Sequence, residues 1–289
     1  TASSTTVILT RGVTMTAVKF NNSGGNIASW NIIPTLPEGL AFDSSTGTIS
    51  GTPLVNMSTS IYTIRAVNTG GIDETYISIR ILEPAPVIEP SIDEMTLTRG
   101  VPMMSIIVNN SGGVAASWAI APELPAGLEF NMSSGQISGI PLVNMTNVTY
   151  TIWANSSGGS HFIKVNLTIV EPSAIITPST AYSVFTRGMP VENITFSTSG
   201  GAIESWAIEP PLPEGMVFDN STGTISGTPI ANMTTTTYNI WANNSGGPAF
   251  TVITIVINEP LAILAISMPH QNLTTRVPME FIKITNHGG

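Results

Sequence analysis

The sequence contains no cysteine and few charged side chains. Without cysteine, the chain has no disulfide and no thiolate metal site. Charged residues make up 9% of the 289 residues, whereas an ordinary soluble domain has about 25%. The net charge is −9 and the basic residues form no cluster. We therefore expect no nucleic-acid partner, because binding to a phosphate backbone requires a basic surface.

Long apolar runs are also missing, although the mean hydropathy is +0.28. The best candidate, residues 250–268, is interrupted by Asn258, Glu259 and Pro260. Since a spanning helix needs about 20 apolar residues, we predict no membrane span in this segment. The chain begins with threonine and carries no signal peptide, which indicates part of a longer or processed polypeptide.

In place of charged residues the chain has 67 serines and threonines, and it repeats itself. Glycine pairs occur every 88 residues, at 24–25, 112–113, 200–201 and 288–289, and Glu-Pro pairs keep the same spacing. A fixed period without insertions indicates a tandem array. We predict three complete repeats, residues 1–84, 85–172 and 173–260 (repeats 1, 2 and 3), followed by the early strands of a partial fourth, residues 261–289.

Alternation of apolar and polar residues within each repeat predicts β-strands. Tyr150, Ile152 and Ala154 share one face of their segment, and residues 161–170 alternate in the same way. No segment has sustained helical periodicity. Each glycine pair lies between two such runs, where we expect a hairpin turn, because glycine accepts a positive φ. Short strands separated by Gly, Pro and Asn predict an all-β fold of tandem β-sandwiches.

The stretch LPEGLAFDSSTGTISGTP, residues 36–53, returns at 124–141 and 212–229. We interpret it as a turn that leads into a core phenylalanine. Asp43, Asn131 and Asp219 are expected to accept backbone N–H bonds across the next turn. With the YTIxAxN strand and the Glu-Pro exit that follow, the pattern resembles the Ig-like repeats, related to cadherin-like modules, of large bacterial and archaeal surface proteins. The resemblance implies tandem Ig-like β-sandwich domains in an extracellular array without catalytic activity.

The candidate metal ligands are Asp43 and Asp219 of the turns and the acidic residues at the repeat boundaries. Glu83, Glu171 and Glu259 precede the linkers, and the resemblance to cadherin-like modules implies that such linkers hold Ca²⁺. Calcium needs six to eight oxygen ligands, whereas each linker carries at most two carboxylates. We therefore expect turn-capping and linker roles and no cofactor, with Ca²⁺ at the domain boundaries as the less favoured alternative.

No set of residues typical of catalysis recurs. The three histidines occupy three different positions of the repeat, and no serine is accompanied by a recurring His and Asp. A glycine-rich phosphate loop followed by a helix is missing as well. We predict that this segment is not an enzyme.

The five tryptophans fall into two classes. Trp153 and Trp241 point away from the core on their strands, where repeat 1 has Arg65. Exposed aromatic residues bind sugars or partner proteins, so this pair is a candidate sugar or partner contact. The interpretation that we favour is that the two side chains cover the second sheet or a domain junction. The others recur in every repeat, alternate with core isoleucines and are expected to be buried: Trp30, Trp118 and Trp206.

Asparagine-linked glycosylation is the strongest chemical signal. Thirteen of the 22 asparagines lie in Asn-x-Ser/Thr sequons, where chance at this Ser/Thr content gives roughly five. Turn and loop chemistry also explains the recurring sites, but not those found in a single repeat, and we predict N-linked glycans. The candidates are Asn21, Asn56, Asn109, Asn131, Asn144, Asn147, Asn155, Asn166, Asn193, Asn220, Asn232, Asn243 and Asn272.

The last strand of repeat 3 has apolar residues on both sides. Its outward positions hold Phe250, Val252, Thr254 and Val256, whereas the matching positions of repeats 1 and 2 include charged residues. An uncharged, exposed β-segment favours association. We predict that these four residues form an intersubunit contact and that the chain self-associates into a homopolymer.

Residues 261–289 correspond to the early strands of a fourth sandwich, and we expect them to lack partners within their own repeat. Either the array continues beyond this segment, which we favour, or these strands complete a neighbouring subunit by strand addition.

The sequence thus predicts an extracellular structural protein, a rod-like array that forms or contributes to a cell-surface filament, sheath or surface layer and carries N-linked glycans. The alternative is the stalk of a cell-surface adhesin that presents or contains a carbohydrate- or protein-binding site. Many sequons with few charges favour an archaeal over a bacterial surface.

Overall fold

The structure, a computed structural model, describes residues 5–266, 275–279 and 281–286. Within these residues every regular element is a β-strand. The chain forms two compact units, residues 1–169 and 170–289. The first holds the sandwiches of repeats 1 and 2, and the second holds the sandwich of repeat 3 and the residues that follow.

Repeat 1 folds into two sheets. The main sheet has the strand order β1-β7-β6-β3, and the smaller sheet has the order β2-β5-β4. β1 runs parallel to β7, whereas β6 pairs antiparallel with both β3 and β7. The strands are β1 (Thr5–Thr10), β2 (Val18–Lys19), β3 (Ser29–Ile33), β4 (Leu40–Asp43), β5 (Thr48–Gly51), β6 (Met57–Asn68) and β7 (Gly71–Leu82).

Repeats 2 and 3 have a main sheet with the same order, and the strands opposite it form two pairs in place of one three-stranded sheet. The strands of repeat 2 are β8 (Ile88–Pro90), β9 (Glu94–Thr98), β10 (Val108–Asn110), β11 (Ser117–Ala121), β12 (Leu128–Phe130), β13 (Ile137–Gly139), β14 (Met145–Ser156) and β15 (Gly159–Val170). Those of repeat 3 are β16 (Ile175–Pro178), β17 (Tyr182–Thr186), β18 (Phe196–Ser199), β19 (Ser205–Glu209), β20 (Met216–Phe218), β21 (Ile225–Gly227), β22 (Met233–Asn244) and β23 (Gly247–Asn258).

The main sheets of these two repeats have the orders β9-β15-β14-β11 and β17-β23-β22-β19. On the opposite side lie the pairs β8-β10 and β12-β13 in repeat 2, and β16-β18 and β20-β21 in repeat 3. In each of these repeats one isolated β-bridge joins the two strand pairs, Ile106 with Ile137 in repeat 2 and Ile194 with Ile225 in repeat 3. Each repeat is therefore an Ig-like sandwich, and the predicted fold class is confirmed.

The core of each sandwich is built from the inward positions of the main sheet, as the alternation predicted. In repeat 2, Tyr150, Ile152 and Ala154 are at most 1% exposed. Burying a large aliphatic side chain contributes about 1.5–3 kcal/mol, so such a row contributes much of the stability of a small domain. The tyrosine hydroxyl donates to a methionine sulfur, at 3.4 Å from Tyr150 to Met145. Burial raises the pKa of this tyrosine and of its counterparts, Tyr62 and Tyr238.

The recurring Leu-Pro-x-Gly segment leads into the first of two short strands, and the turn that follows it, residues 44–47 in repeat 1, joins that strand to the second. The glycine that closes this turn, Gly47 in repeat 1 and Gly223 in repeat 3, has a φ of +66° or +74°. A Cβ at either position would lie 2.6 Å from the indole of Trp30 or Trp206. Trp206 is buried and Trp30 is partly buried against the core. The turn and the recurring tryptophan are therefore one packed unit.

The prediction that the glycine pairs form hairpin turns is wrong for the pairs at 24–25, 112–113 and 200–201, and the pair at 288–289 lies outside the described residues. The strands on either side of Gly112 and Gly113 belong to different sheets, because β10 pairs with β8 and β11 pairs with β14. The segment thus crosses from one sheet to the other. Glycine is needed there for close approach, since a Cβ on Gly113 would lie 2.0 Å from the carbonyl oxygen of Pro84. The tight hairpins lie instead between the two long strands of each main sheet, as between β14 and β15.

Residues after repeat 3 form one further strand pair, in which β24 (Leu264–Ile266) pairs antiparallel with β25 (Ile284–Asn286). The expectation that the strands of this segment lack partners is therefore wrong for these two, which pair with each other.

Candidate functional site

The outer face of the main sheet in repeat 3 carries a continuous group of apolar side chains. The isoleucines at 253, 255 and 257 of β23 are at most 2% exposed, so the even-numbered residues point outward. β17 contributes two outward residues in register with Thr254 and Val256, and β22 contributes one in register with Phe250. We name this group the apolar face: Tyr182, Val184, Trp241, Phe250, Val252, Thr254 and Val256.

Four of these side chains are between 41% and 62% exposed, namely Tyr182, Val184, Phe250 and Val252. The structure places the four predicted contact residues of β23 together on this face, while the intersubunit contact itself stays a prediction. Tyr182 and Val184 were missed from the sequence. Strand alternation reveals which side a residue faces, but it does not reveal which strand lies beside the last one.

The same face differs in the other repeats. Where repeat 3 pairs Trp241 with Phe250, repeat 1 pairs Arg65 with Glu74, whose Nε and Oε1 atoms lie 2.6 Å apart. Repeat 2 has the pair Trp153 and Phe162, followed along β15 by Lys164 and Asn166. The outward side of the last strand is therefore uncharged only in repeat 3.

Trp153 and Trp241 lie on the outer face, as the sequence indicated. The rings of Trp241 and Phe250 have centroids 5.2 Å apart and an interplanar angle of 38°, a tilted geometry that aromatic pairs favour. Trp153 and Phe162 are cross-strand partners at the matching position. A role for either tryptophan in binding sugar or a partner stays a prediction.

The twelve sequons within the described part of the chain are all at least partly exposed, and Asn272 lies outside the described residues. Five lie on strands and seven lie in turns and loops. Three asparagines are half-buried, Asn155, Asn166 and Asn243, and the other nine are exposed. All twelve side chains are therefore placed where a glycan can reach solvent.

The recurring Asn-Asn-Ser-Gly-Gly turn separates structural asparagines from sequon asparagines. The Oδ1 atom of Asn22 accepts from the backbone N–H of Gly24 at 2.9 Å, and its Nδ2 donates to the carbonyl of Gly25 at 2.7 Å. Asn110 makes the same two bonds in repeat 2. The turn is thus made by the second asparagine, whereas the sequon asparagine is the first, Asn21 or Asn109.

Glu83 joins repeats 1 and 2 within the first compact unit. The guanidinium of Arg11 donates to both carboxylate oxygens, with Nε 2.8 Å from Oε2, and the backbone N–H of Val114 donates to Oε1 at 3.0 Å. The N–H of Glu83 in turn donates to the hydroxyl of Ser157 at 2.8 Å. Glu83 is 7% exposed. The bond from Arg11, its charge and the Val114 N–H outweigh the effect of burial and lower the pKa of Glu83.

The linker after repeat 2 contacts repeat 3 in a related way. The N–H of Glu171 donates to the hydroxyl of Ser245 at 3.0 Å, and Nδ2 of Asn244 donates to the carbonyl of Pro172 at 3.0 Å. Glu259 forms an exposed ion pair with Arg187. The three boundary glutamates therefore have protein partners, although calcium at the boundaries is not tested by these contacts.

The turn carboxylates behave as predicted. Asp219 Oδ1 accepts from the backbone N–H and the hydroxyl of Ser221, at 2.8 and 2.6 Å. These bonds, with one from the hydroxyl of Thr222, lower the pKa of Asp219 to about 2. The same pattern lowers the pKa of Asp43. Asn131 caps the turn of repeat 2 with a neutral side chain, accepting from the N–H of Ser133 at 2.8 Å.

Residues 5–266, 275–279 and 281–286 contain no group of three or more His, Asp or Glu side chains that could hold a metal ion. Nδ1 of His161 accepts from the backbone N–H of Ile88 at 3.1 Å, which is a structural bond. Over the same range, no helix is long and apolar enough to cross a bilayer.

Part of this chain is similar in sequence to an adhesin that occurs in several strains of Staphylococcus aureus. The "Serine-rich adhesin for platelets" of Staphylococcus aureus strain N315 is 26% identical over 191 residues, which is 64% of this chain and 8% of that protein. The same adhesin from strain MRSA252 is also 26% identical over 191 residues, 64% of this chain and 13% of its own length. The chain thus spans a small part of these relatives.

Solved structures with a similar fold include the N-terminal eight Ig domains of Down Syndrome Cell Adhesion Molecule, with a TM-score of 0.45 and 16% identity, covering 89% of this chain and 36% of that one. The I67–I69 fragment of titin has a TM-score of 0.43 and 16% identity, covering 89% and 97%. A family model described as "Putative Ig domain" matches residues 1–81, 85–170 and 167–258. The chain belongs to this Ig-domain family and contains three tandem copies of the domain.

Proposed function

We propose that this chain is a segment of an extracellular structural array, part of a cell-surface filament, sheath or surface layer, which self-associates through the apolar face of repeat 3 and carries N-linked glycans. The observation that carries the proposal is the apolar face itself. Three sandwiches share one backbone plan, and one of them presents an uncharged row of large side chains where the others present ions.

The occupant that fits this face best is a second copy of the same chain. Two apolar faces brought together would bury Phe250, Val252 and Tyr182, which are at least 41% exposed in the single chain, without removing an ion from water. Burying an unpaired charge would oppose such a contact strongly. Glu209 lies on the edge strand β19, paired with Asn239 of β22, and two strands separate it from Tyr182 and Val184 on β17.

Sedimentation velocity and electron microscopy of the protein from its native source test this function. We expect ordered assemblies from the unaltered chain and their loss in a Val252→Lys, Val256→Lys variant, because the two ammonium groups would be desolvated in the contact. The matched control is Ile61→Lys, Ile72→Lys, which adds the same charge to exposed apolar positions of repeat 1. Normal assembly of the first variant contradicts the proposal.

The name of the staphylococcal relatives supports a second candidate function, an adhesin stalk with a carbohydrate- or protein-binding site. The side chains of Trp153 and Trp241 are its candidate contacts. Retention of monomeric protein on a glycan array, lost in Trp153→Ala, would favour this function over assembly. Location outside the cell is common to both functions.

A further inference from the structure

Two tryptophans of the outer face stand beside two of the sequons. Trp153 and Asn155 lie on β14, and Trp241 and Asn243 lie at the matching positions of β22. The alanine between each pair is 0% exposed and points inward. Because side chains two apart on a strand share a face and lie roughly 6–7 Å apart, each asparagine stands next to an indole on the outer face.

The surroundings leave room for a sugar there. The indole of Trp241 lies between Ala207 and Phe250, so one side is open and the other is extended by a second ring. Asn243 holds no strong bond, because its Nδ2 atom lies 3.4 Å from the hydroxyl of Ser205. Small side chains flank both asparagines across the sheet: Ser117 and Ser160 in repeat 2, and Ser205 and Pro248 in repeat 3.

Repeat 1 loses the sequon and the aromatic pair together. Its matching positions hold Arg65, Val67 and Glu74. The Arg65–Glu74 ion pair offers no apolar surface, and Val67 cannot carry an N-linked glycan. The two features therefore vary as one set among the three repeats.

The serine of each sequon has a separate explanation. Ser157 and Ser245 accept the backbone N–H groups of Glu83 and Glu171. Repeat 1 keeps a hydroxyl at this position, Thr69, without an asparagine two residues earlier. Packing of the linker thus accounts for the hydroxyl at this position of the sequon, but it does not explain the asparagine two residues earlier. In repeats 2 and 3 that asparagine occurs together with the aromatic pair.

We infer that Trp153 and Trp241 are platforms on which the first sugar of an N-linked glycan at Asn155 or Asn243 packs. This inference rests on the proposed N-glycosylation and assigns it two specific sites. In the modification, the amide nitrogen forms a bond to the anomeric carbon of a lipid-phosphate-linked sugar, the phosphate leaves with the bonding electron pair, and the amide releases one proton. The polarised C–H groups of a pyranose then meet the negative face of the indole.

The platform divides the outer face of repeat 3 into two zones. The sugar packs on Trp241, at the end of the apolar face near Asn243, whereas Tyr182, Val252 and Val256 lie farther along the strands and stay open to a second chain. Phe250 lies between the two zones, so it extends the surface under the sugar and also belongs to the contact with the second chain.

A double-mutant cycle on the native glycoprotein tests the platform. Glycopeptide mass spectrometry first measures occupancy at each sequon. Melting temperatures are then compared for the unaltered chain, Asn243→Gln, Trp241→Ala and the double variant, all produced in the organism of origin. We expect Asn243→Gln to lower the melting temperature of repeat 3 by about 4 °C and to have no such effect when Trp241 is already alanine, because coupled residues are not additive. Trp241→Phe, which keeps an aromatic face, should restore part of the coupling.

The control is Asn232→Gln, a loop sequon with Ile230 two residues earlier, which should show no coupling to Trp241. Occupied sites with additive effects overturn the platform and leave N-glycosylation standing. If Asn155 and Asn243 carry no glycan while other sequons do, the platform is also overturned, and N-glycosylation of the chain still stands. If all thirteen sequons are empty, the glycosylation in the proposed function fails, and the platform fails with it.

Discussion

Repeats 1 and 3 have the same strand register and different outer faces. Tyr62 and Tyr238 occupy the same inward position and are at most 2% exposed. On the other side of the same strands, repeat 1 pairs Arg65 with Glu74, where repeat 3 pairs Trp241 with an aromatic ring. The inward-pointing residues thus determine the sandwich fold. The outward-pointing residues can differ between repeats without changing the fold, and they determine what each sandwich contacts. Changes to shared features should disrupt the fold, whereas changes to the outer face should alter association.

The largest effect is expected where the repeats agree. Gly223→Ala places a Cβ 2.6 Å from the Trp206 indole at a φ of +74°. Backbone strain and overpacking together should lower the free energy of unfolding of repeat 3 by about 2–4 kcal/mol, measured by denaturant titration. Gly188→Ala is the matched control, because its φ is +78° with nothing within 4 Å of the added Cβ. Equal losses in both variants would contradict the role of the indole.

A second variant transfers the uncharged outer face of repeat 3 to repeat 1. In a chain already carrying Val252→Lys and Val256→Lys, the changes Arg65→Trp, Glu74→Phe and Arg80→Val give repeat 1 an uncharged outer face. We expect self-association to recover by about tenfold, which corresponds to ~1.4 kcal/mol. Sedimentation velocity measures the recovery. If association does not recover, the outer face is insufficient by itself to cause it.

The third test concerns a contact that repeat 1 makes with its neighbour. Glu83→Gln removes a buried carboxylate from Arg11 and should lower the melting temperature of the chain by a few degrees at neutral pH. Since the pKa of Glu83 is lowered in the folded chain, its contribution is complete above its ordinary value of 4.5 and is lost as the pH falls below it. The Gln variant should therefore lose part of the acid sensitivity. Glu259→Ala, which removes an exposed ion pair, should change little.

The smallest effect is expected at the turn carboxylates. The folded-state pKa of Asp219 is about 2, below its ordinary value of 3.8, so its stabilising effect is present at neutral pH and fades as acid protonates it. Asp219→Asn should melt almost normally at pH 7 and resist acidification better, since Asn131 already caps the same turn in repeat 2 without titrating. Melting curves between pH 2 and pH 4 measure the difference. An unchanged acid response in the variant would show that Asp219 does not cause it.

Much of the fold could be predicted because its determinants are local or periodic. Alternation placed Tyr150 and Ile152 inward, and the repeated turn motif identified Asp43 and Asp219 as caps. These signals lie within a few residues of each other, or recur at the fixed spacing. The outward row of β23 could be read for the same reason.

Long-range pairing could not be read from local signals. The glycine pairs at 24–25, 112–113 and 200–201 cross between sheets, and the sequence does not say which strands a turn connects. The contact between Arg11 and Glu83 joins residues 72 positions apart. A signal existed, since Thr-Arg-Gly and Glu-Pro both recur in each complete repeat, but recurrence alone does not say that two motifs touch. Tyr182 joined the apolar face through a parallel pairing that alternation cannot reveal.

The parallel pairing of the first and last strands of the main sheet has a mechanical consequence. In repeat 3 the pairs run from Tyr182 with Thr254 to Thr186 with Asn258. The chain therefore enters the sandwich at one end of this ladder and leaves at the other. A pull on the two termini loads the hydrogen bonds in shear, so that they must break together, whereas a hairpin pulled at its open end breaks one bond at a time. We expect single-molecule extension to give high, evenly spaced unfolding peaks.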